Sequence, residues 1–310
     1  MLHGRVQSVL VSLEAQKGTA VPGAAELRCY DPEIKRDDNV IQQENVANGR
    51  DGPEDALAGP STGSSTLKTW LRSDGVSTLD AASLVLLQSC GLKHNAGVLS
   101  IATAFDDQKT VTIDRVVGGL GERLFAAAGN WKLSGEFGKP VELEFAHKGK
   151  YLWQGSVAQP AVSASARAPM RAENMTLTLG TIGPAGGLKV SKFALSANIE
   201  PELREDLSAG MGIGYYMIGS GWRYTIELDP EAMASADWDP MTIHEAGTVG
   251  ALSLVLADAD VTMTIAAPRL QILPMSLGSR GSKLIYEGWR GQLNPDAGGD
   301  DITVTLAAVV

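Results

Sequence analysis

The chain has 310 residues, of which 44% are hydrophobic and 20% charged. This composition excludes a disordered polymer and favours one large or two ordinary domains. Asp and Glu number 36 against 26 Lys and Arg, a formal net charge of -10, which argues against a duplex-binding surface, since nucleic acid is held by basic faces.

No uninterrupted apolar run is long enough for a helical membrane span. Residues 1–5 lead into a polar, alternating stretch without the apolar centre of a secretory signal. Gly (35) and Pro (14) are frequent, which predicts many turns. Cys29 and Cys90 lie far apart in sequence and outside any CxxC pair, so two reduced thiols are expected.

In chain order, residues 6–13 form the first loosely alternating, strand-like segment. Residues 37–65 then show little periodicity and contain Asn48-Gly49-Arg50-Asp51-Gly52-Pro53 and Gly59-Pro60-Ser61-Thr62-Gly63. They read as a long polar loop, of a length that is functional or disordered when it occurs in a compact domain. Asp80 is placed to N-cap a helix over residues 80–90, with Gly91 at the C′ position.

Residues 111–117 are β-branched. Residues 131–137 and 141–147 alternate with period two and predict a hairpin about Gly138-Lys139-Pro140. An Ala/Ser/Pro-rich run at 158–170 reads as a linker. Seven further strand-like segments follow, at 174–179, 188–197, 222–228, 250–257, 261–267, 283–293 and 302–307, and their threonines suit a half-exposed pleated surface. A short helix is expected near Asp229-Pro230-Glu231, with Pro at N1, and a turn over residues 202–207. The fold class is therefore mainly β, an antiparallel sandwich or barrel with short helices.

No catalytic constellation stands out. The four histidines, His3, His94, His147 and His244, have no metal-site spacing, and no Cys/His cluster accompanies them. The serines of Gly278-Ser279-Arg280-Gly281-Ser282 lack the nucleophile-elbow order. Gly210-Met211-Gly212-Ile213-Gly214 lacks the strand and helix of a dinucleotide fingerprint. Asp258/Asp260 and Asp296/Asp300/Asp301 lack the order of a calcium loop. The expectation is a non-enzymatic protein without cofactor or metal.

Three stretches together resemble the major tail tube proteins of long, non-contractile-tailed bacteriophages. The first runs from Val21-Pro22 through the polar loop to Leu67-Lys68-Thr69-Trp70-Leu71 and the helix ending Leu86-Leu87-Gln88-Ser89-Cys90-Gly91. The second is Val111-Thr112-Ile113, Gly118-Gly119 and the stretch Asn130-Trp131-Lys132 to Gly138-Lys139-Pro140. The third comprises Phe193-Ala194-Leu195, Gly214-Tyr215-Tyr216, Arg223-Tyr224-Thr225 and Ala266-Ala267-Pro268.

The resemblance implies two tandem tube-type β modules, residues 1–165 and 166–310, each with a short helix, split near 158–172. It implies a structural virion protein whose copies form rings, hexameric or trimeric and pseudo-hexameric, stacked into a tube that conducts DNA during ejection. The implied partners are further copies, the tape measure, tail terminator and tail tip proteins, and genomic DNA passing without specific binding. The implied location is the virion tail, assembled in the host bacterial cytoplasm.

Asp37, Asp38, Arg50, Asp51, Glu54 and Asp55 of the polar loop would contact a neighbouring subunit or ring. The alternatives are a tail-tip, tail-terminator or baseplate ring of the same fold and, lower, a β-sandwich hydrolase using Glu142 and Glu144.

Overall fold

The computed structural model describes residues 7–41, 44–45, 52–53, 57–161, 167–208, 213–219, 223–296, 299 and 301–309. The chain is mainly β. It begins with β1 (Gln7–Leu13), β2 (Ala25–Leu27), β3 (Cys29–Ile41), the short β4 (Glu44–Asn45) and β5 (Gly52–Pro53), and β6 (Leu57–Trp70). Helix α1 (Ala81–Ser89) precedes β7 (Leu92–Asn95), β8 (Val98–Ile101) and β9 (Val111–Val117). The two longest strands of this half follow, β10 (Leu120–Glu136) and β11 (Glu142–Ser156).

Beyond the irregular segment come β12 (Met175–Thr178), β13 (Lys192–Ala197), β14 (Pro201–Glu205), β15 (Ile213–Ile218) and β16 (Tyr224–Leu228). Helix α2 (Pro240–Glu245) then leads to β17 (Val249–Ala257), β18 (Val261–Ile272), β19 (Ser276–Arg280), β20 (Lys283–Glu287), β21 (Arg290–Asn294) and β22 (Thr303–Ala308).

One large antiparallel sheet connects most of these strands. Its main path runs β2-β1-β9-β10-β13-β16-β21-β18-β22-β8-β7. A branch runs from β10 through β11 and β6 to β3, and another from β18 through β17 to β12. β10 can branch because it is long: it pairs β9 along its first half and β13 along its last five residues, while β11 takes its other edge. β18 does the same with β22 and β21 on one edge and β17 on the other.

The ladder continues across residues 158–172. β10 pairs β13 with Lys132 opposite Ser196, and β22 returns to pair β8 with Val304 opposite Leu99. One contiguous hydrophobic cluster runs through both halves, from Val9 to Leu306. The irregular segment is tied down at its end. The Met170 N–H donates to Leu71 O and its carbonyl accepts from Val141 N–H, each at 2.9 Å, and the side chain is buried.

The predicted hairpin at Gly138-Lys139-Pro140 is present, with Leu133 opposite Leu143 and Gly138 at φ +77°. The first predicted helix is present as well. Asp80 accepts from Ser83 N–H at 3.0 Å and from the Ser83 hydroxyl at 2.6 Å, Gly91 has φ +83°, and Ala82, Leu86 and Leu87 are buried. Asp80→Ala is expected to cost about 1 kcal/mol of folding stability, the usual value of an N-cap, with Asp80→Asn nearly neutral. Urea unfolding midpoints measure the difference.

Four expectations are corrected. Residues 37–65 do not form an open loop: β3 and β6 pair from Cys29↔Thr69 to Ile41↔Leu57 as a long hairpin. Period two does run through the second arm, since Gly63, Ser65, Leu67 and Thr69 are buried and their neighbours are not. Small and polar residues fill three of those four inward positions, so hydropathy conceals the alternation. Gly63 is required there, because a Cβ would lie 2.6 Å from Lys35 O.

The helix expected at Asp229-Pro230-Glu231 is absent. Asp229 accepts instead from Ser191 N–H at 2.8 Å and Lys192 N–H at 2.9 Å, at the entry to β13. The same Asp-Pro signal, ten positions later, starts α2: Asp239 accepts from Met241 N–H at 3.1 Å and Thr242 N–H at 3.2 Å, with Pro240 opening the helix. Residues 202–207 are not a turn, because Pro201–Glu205 is β14. The single strand expected at 283–293 is broken at Gly288, φ +69°, into β20 and β21.

Candidate functional site

The sheet presents one continuous polar face. Neighbour by neighbour in the ladder, one row reads Tyr30, Lys68, Glu144, Lys132, Ser196, Thr225, Gln292 and Gln271, on β3, β6, β11, β10, β13, β16, β21 and β18. Seven inter-strand steps make this row roughly 34 Å long. A second row reads Trp70, Glu142, Ser134, Ala194, Glu227 and Arg290. Between the two rows, on the opposite face, lie Leu143, Leu133, Leu195 and Ile226, all buried. Alternation along each strand therefore separates a greasy side from a hydrophilic one.

Charges on this face are mostly neutralised locally. Lys68 lies 3.7 Å from Glu144, Arg290 lies 2.8 Å from Glu227, and beside the face Lys139 lies 2.6 Å from Glu136. These exposed pairs contribute little to stability, typically below about 1 kcal/mol each. The Tyr30 hydroxyl donates to Glu142. Partial burial, and then the neighbouring Glu144 charge, hold the Glu142 carboxyl above the usual range.

A cavity of about 520 Å³ opens beside the second row, lined by Glu142, Ser134, Lys192, Glu227, Tyr286 and Arg290 among others. Glu144, the second carboxylate of the hydrolase alternative, is not part of its wall. Glu142 and Glu227 stand three strands apart, roughly 14 Å, wider than the carboxylate spacing of glycosidases.

The face ends at β3. This 13-residue strand pairs β6 on one side and, among the described residues, no strand on the other. Its residues Glu33, Lys35, Arg36 and Asp37 are exposed, and Glu33 and Lys35 form an ion pair at 3.1 Å. Pro32 and Asp31, the latter at φ +48°, break the register between Tyr30 and Glu33. Such an edge offers unpaired backbone groups to another chain, and charges and proline restrain it from doing so indiscriminately.

Of the six loop residues singled out from sequence, Asp37 is exposed on β3, where its carbonyl accepts from the Thr62 hydroxyl at 3.3 Å. Asp38 lies in the same strand opposite Ser61. Arg50, Asp51, Glu54 and Asp55 lie outside the described residues.

The tryptophans divide between core and surface. Trp131, Trp238 and Trp289 are buried, while Trp70 and Trp153 are 40% and 50% exposed; Trp222 lies outside the described residues. The serine-glycine stretch at 278–282 is the end of β19 and the two-residue turn into β20, with Gly281 at φ +61°.

Sequence spacing did not reveal one cluster. His147 on β11 places Nε2 2.9 Å from Ser89 Oγ and 3.7 Å from Cys90 Sγ at the end of α1. All three residues are buried, so no substrate reaches them. Burial drives the His147 imidazole down to about 3 and the Cys90 thiol upward. The cluster packs the helix end onto the sheet as neutral groups. Among the described residues no group of three or more His, Cys, Asp or Glu side chains is placed to hold a metal ion, and no helix is long and apolar enough to cross a membrane.

No family model matches the chain, and no curated protein sequence matches it.

Proposed function

We propose that this chain is a structural subunit whose copies join into rings stacked as a tube, of the kind formed by the tail tube proteins it resembles in sequence order. The observation that carries the reading is the long sheet from β3 to β18, polar on one face, buried on the other and, among the described residues, unpaired along the outer side of β3. A ring needs a heterologous contact that closes, and stacking needs a second contact that does not. The free edge of β3 suits the first, and the β3–β6 hairpin, together with the residues at its end, suits the second.

A conduit for DNA must be wettable without holding phosphate. A face of Ser, Thr, Gln and locally paired charges, in a protein of net charge -10, meets that requirement, because counterion-driven binding needs an excess of cations. With two tube-type modules per chain, three chains would supply a ring of six modules. In this reading the chain has no enzymatic role, acts in the virion tail, and meets the tape measure, terminator and tip proteins at the ends of the tube. A tail-tip or terminator ring of the same fold differs in copy number, with a few copies per particle against on the order of a hundred for a stacked tube.

The hairpin gives a direct test. Replacing residues 39–60 by Asn-Gly, a two-residue hairpin turn, shortens β3 and β6 and removes none of the core residues described. The shortened chain is expected to unfold with a midpoint close to that of the full chain and to form no stacked tubes under the electron microscope. Normal tubes from the shortened chain would remove the hairpin from the stacking contact.

A further inference from the structure

A second cavity, about 580 Å³, lies where β3 begins, beside the polar face. Two arginines line it, Arg28 and Arg72, together with Tyr30 and Trp70. The aromatic walls are built: the Tyr30 and Trp70 ring centroids are 6.0 Å apart, and the Arg72 guanidinium sits 5.3 Å from the Trp70 centroid. Cation–π contact of this kind fixes the plane of a guanidinium.

Glu26 and Asp31 also border the cavity, but among the described residues no carboxylate oxygen lies within ion-pair distance of Arg28 or Arg72. Arg72 Nε donates to the Arg167 carbonyl at 3.3 Å, and its two terminal nitrogens have no acceptor among the described residues. Burial, and then the Arg28 charge, lower the affinity of Arg72 for its proton, while the Asp80 charge acts the other way. Two guanidiniums with donors that have no acceptor among the described residues line one concavity, a setting that suits an oxyanion.

We propose that the Arg28–Arg72 cavity receives carboxylates from an acidic segment of a second copy of this chain. This rests on the reading that copies of the chain meet. Charge complementarity selects the occupant. Each copy carries a net charge of -10, so two copies repel unless an unpaired basic site meets acidic side chains. The cavity adjoins the open edge of β3, sharing Cys29, Tyr30, Asp31 and Pro32 with that strand, so a neighbour on the edge reaches it. The same net charge disfavours nucleic acid phosphate as the occupant.

Cys29 provides a reporter, since it lines this cavity and is half-buried, whereas Cys90 is buried completely. The rate of Cys29 alkylation by iodoacetamide, read by mass spectrometry, is to be measured in the full chain with and without triglutamate, and with inorganic phosphate. Triglutamate at millimolar concentration is expected to slow labelling at least threefold in the parent and not in Arg28→Glu. Phosphate at equal concentration should slow it less. Stronger protection by phosphate, or equal protection by triglutamate in both proteins, would overturn the carboxylate assignment.

In sedimentation velocity, Arg28→Glu should weaken self-association at least tenfold, whereas Lys109→Glu, the same charge change at another exposed site, should not. Self-association unchanged in Arg28→Glu would overturn the site alone. A parent chain that never self-associates would overturn the site together with the reading it rests on.

Discussion

Glu14→Ala is expected to destabilise the fold by about 3–5 kcal/mol, because several buried donors would lose their acceptor at about 1–3 kcal/mol each. The Glu14 carboxylate is 3% exposed and faces no cation within ion-pair distance among the described residues. It is held by four donors: the Thr110 hydroxyl at 2.6 Å, the Thr112 hydroxyl at 2.9 Å, Ala126 N–H at 2.7 Å and Gly18 N–H at 2.8 Å. Ala126 is the strained member, at φ +54° inside the bulge where β10 shifts register against both β9 and β11.

That bulge lies near the end of the β9 pairing, shortly before β10 takes up β13, so Glu14 secures the strand on which the sheet branches. Removing the carboxylate leaves a buried amide and two hydroxyls without an acceptor, each costing about 1–3 kcal/mol. Glu14→Gln keeps one oxygen and should lose about half as much. Urea unfolding followed by tryptophan fluorescence reads both, and a loss below about 1 kcal/mol in Glu14→Ala would show that the bulge holds without it.

The second large effect is pH-dependent. His147 is neutral in the fold, its imidazole driven from 6.5 to about 3 by complete burial. Between those values the unfolded chain binds a proton that the folded chain refuses. Stability is therefore complete above about pH 6.5 and falls as pH drops toward 3, by about 1.4 kcal/mol per pH unit. From pH 6.5 to 5 the expected loss is about 2 kcal/mol.

Asp74 and Asp229, whose carboxyls are held below their ordinary value, lose stability in the same sense only as pH falls below about 3.8. Asp80, raised by burial, acts in the opposite sense as pH rises above about 3.8. His147→Gln keeps a side chain able to bond Ser89 and cannot take up the proton, so its stability curve should be flatter than the parent's by that amount over pH 5–6.5. Parallel curves would mean that His147 protonates within the fold. Gly129 is part of the same packing, since a Cβ there would lie 2.6 Å from the His147 ring and 2.3 Å from Ala146 O.

How much of this was legible in the sequence follows from what each signal depends on. Strands with apolar residues on one side, such as those at 131–137 and 141–147, declared themselves by period two, and the strand at 111–117 did so by its β-branched residues. So did α1, whose cap, stripe and terminal glycine are all local. The β3–β6 hairpin did not, because Gly63, Ser65 and Thr69 fill inward positions that hydropathy assigns to loops. Asp229 and Asp239 carry the same local signal. Their fates differ because the carboxylate of Asp229 is claimed by Ser191 and Lys192, from a strand more than thirty residues earlier in the chain.

The candidate face was legible only in pieces. Lys132, Ser196, Thr225 and Gln292 each read as an outward strand position, and only strand order makes them one row. Nothing local relates Arg28 to Arg72 or His147 to Ser89, since those pairs are made by the folding of the sheet.

Electron microscopy of the purified full chain, in negative stain and across a hundredfold range of concentration, tests the central claim most directly. Rings with an open centre that stack into tubes as concentration rises are expected, with the polar face lining the channel. A monomer at every concentration, with no rings on the grid, would contradict it.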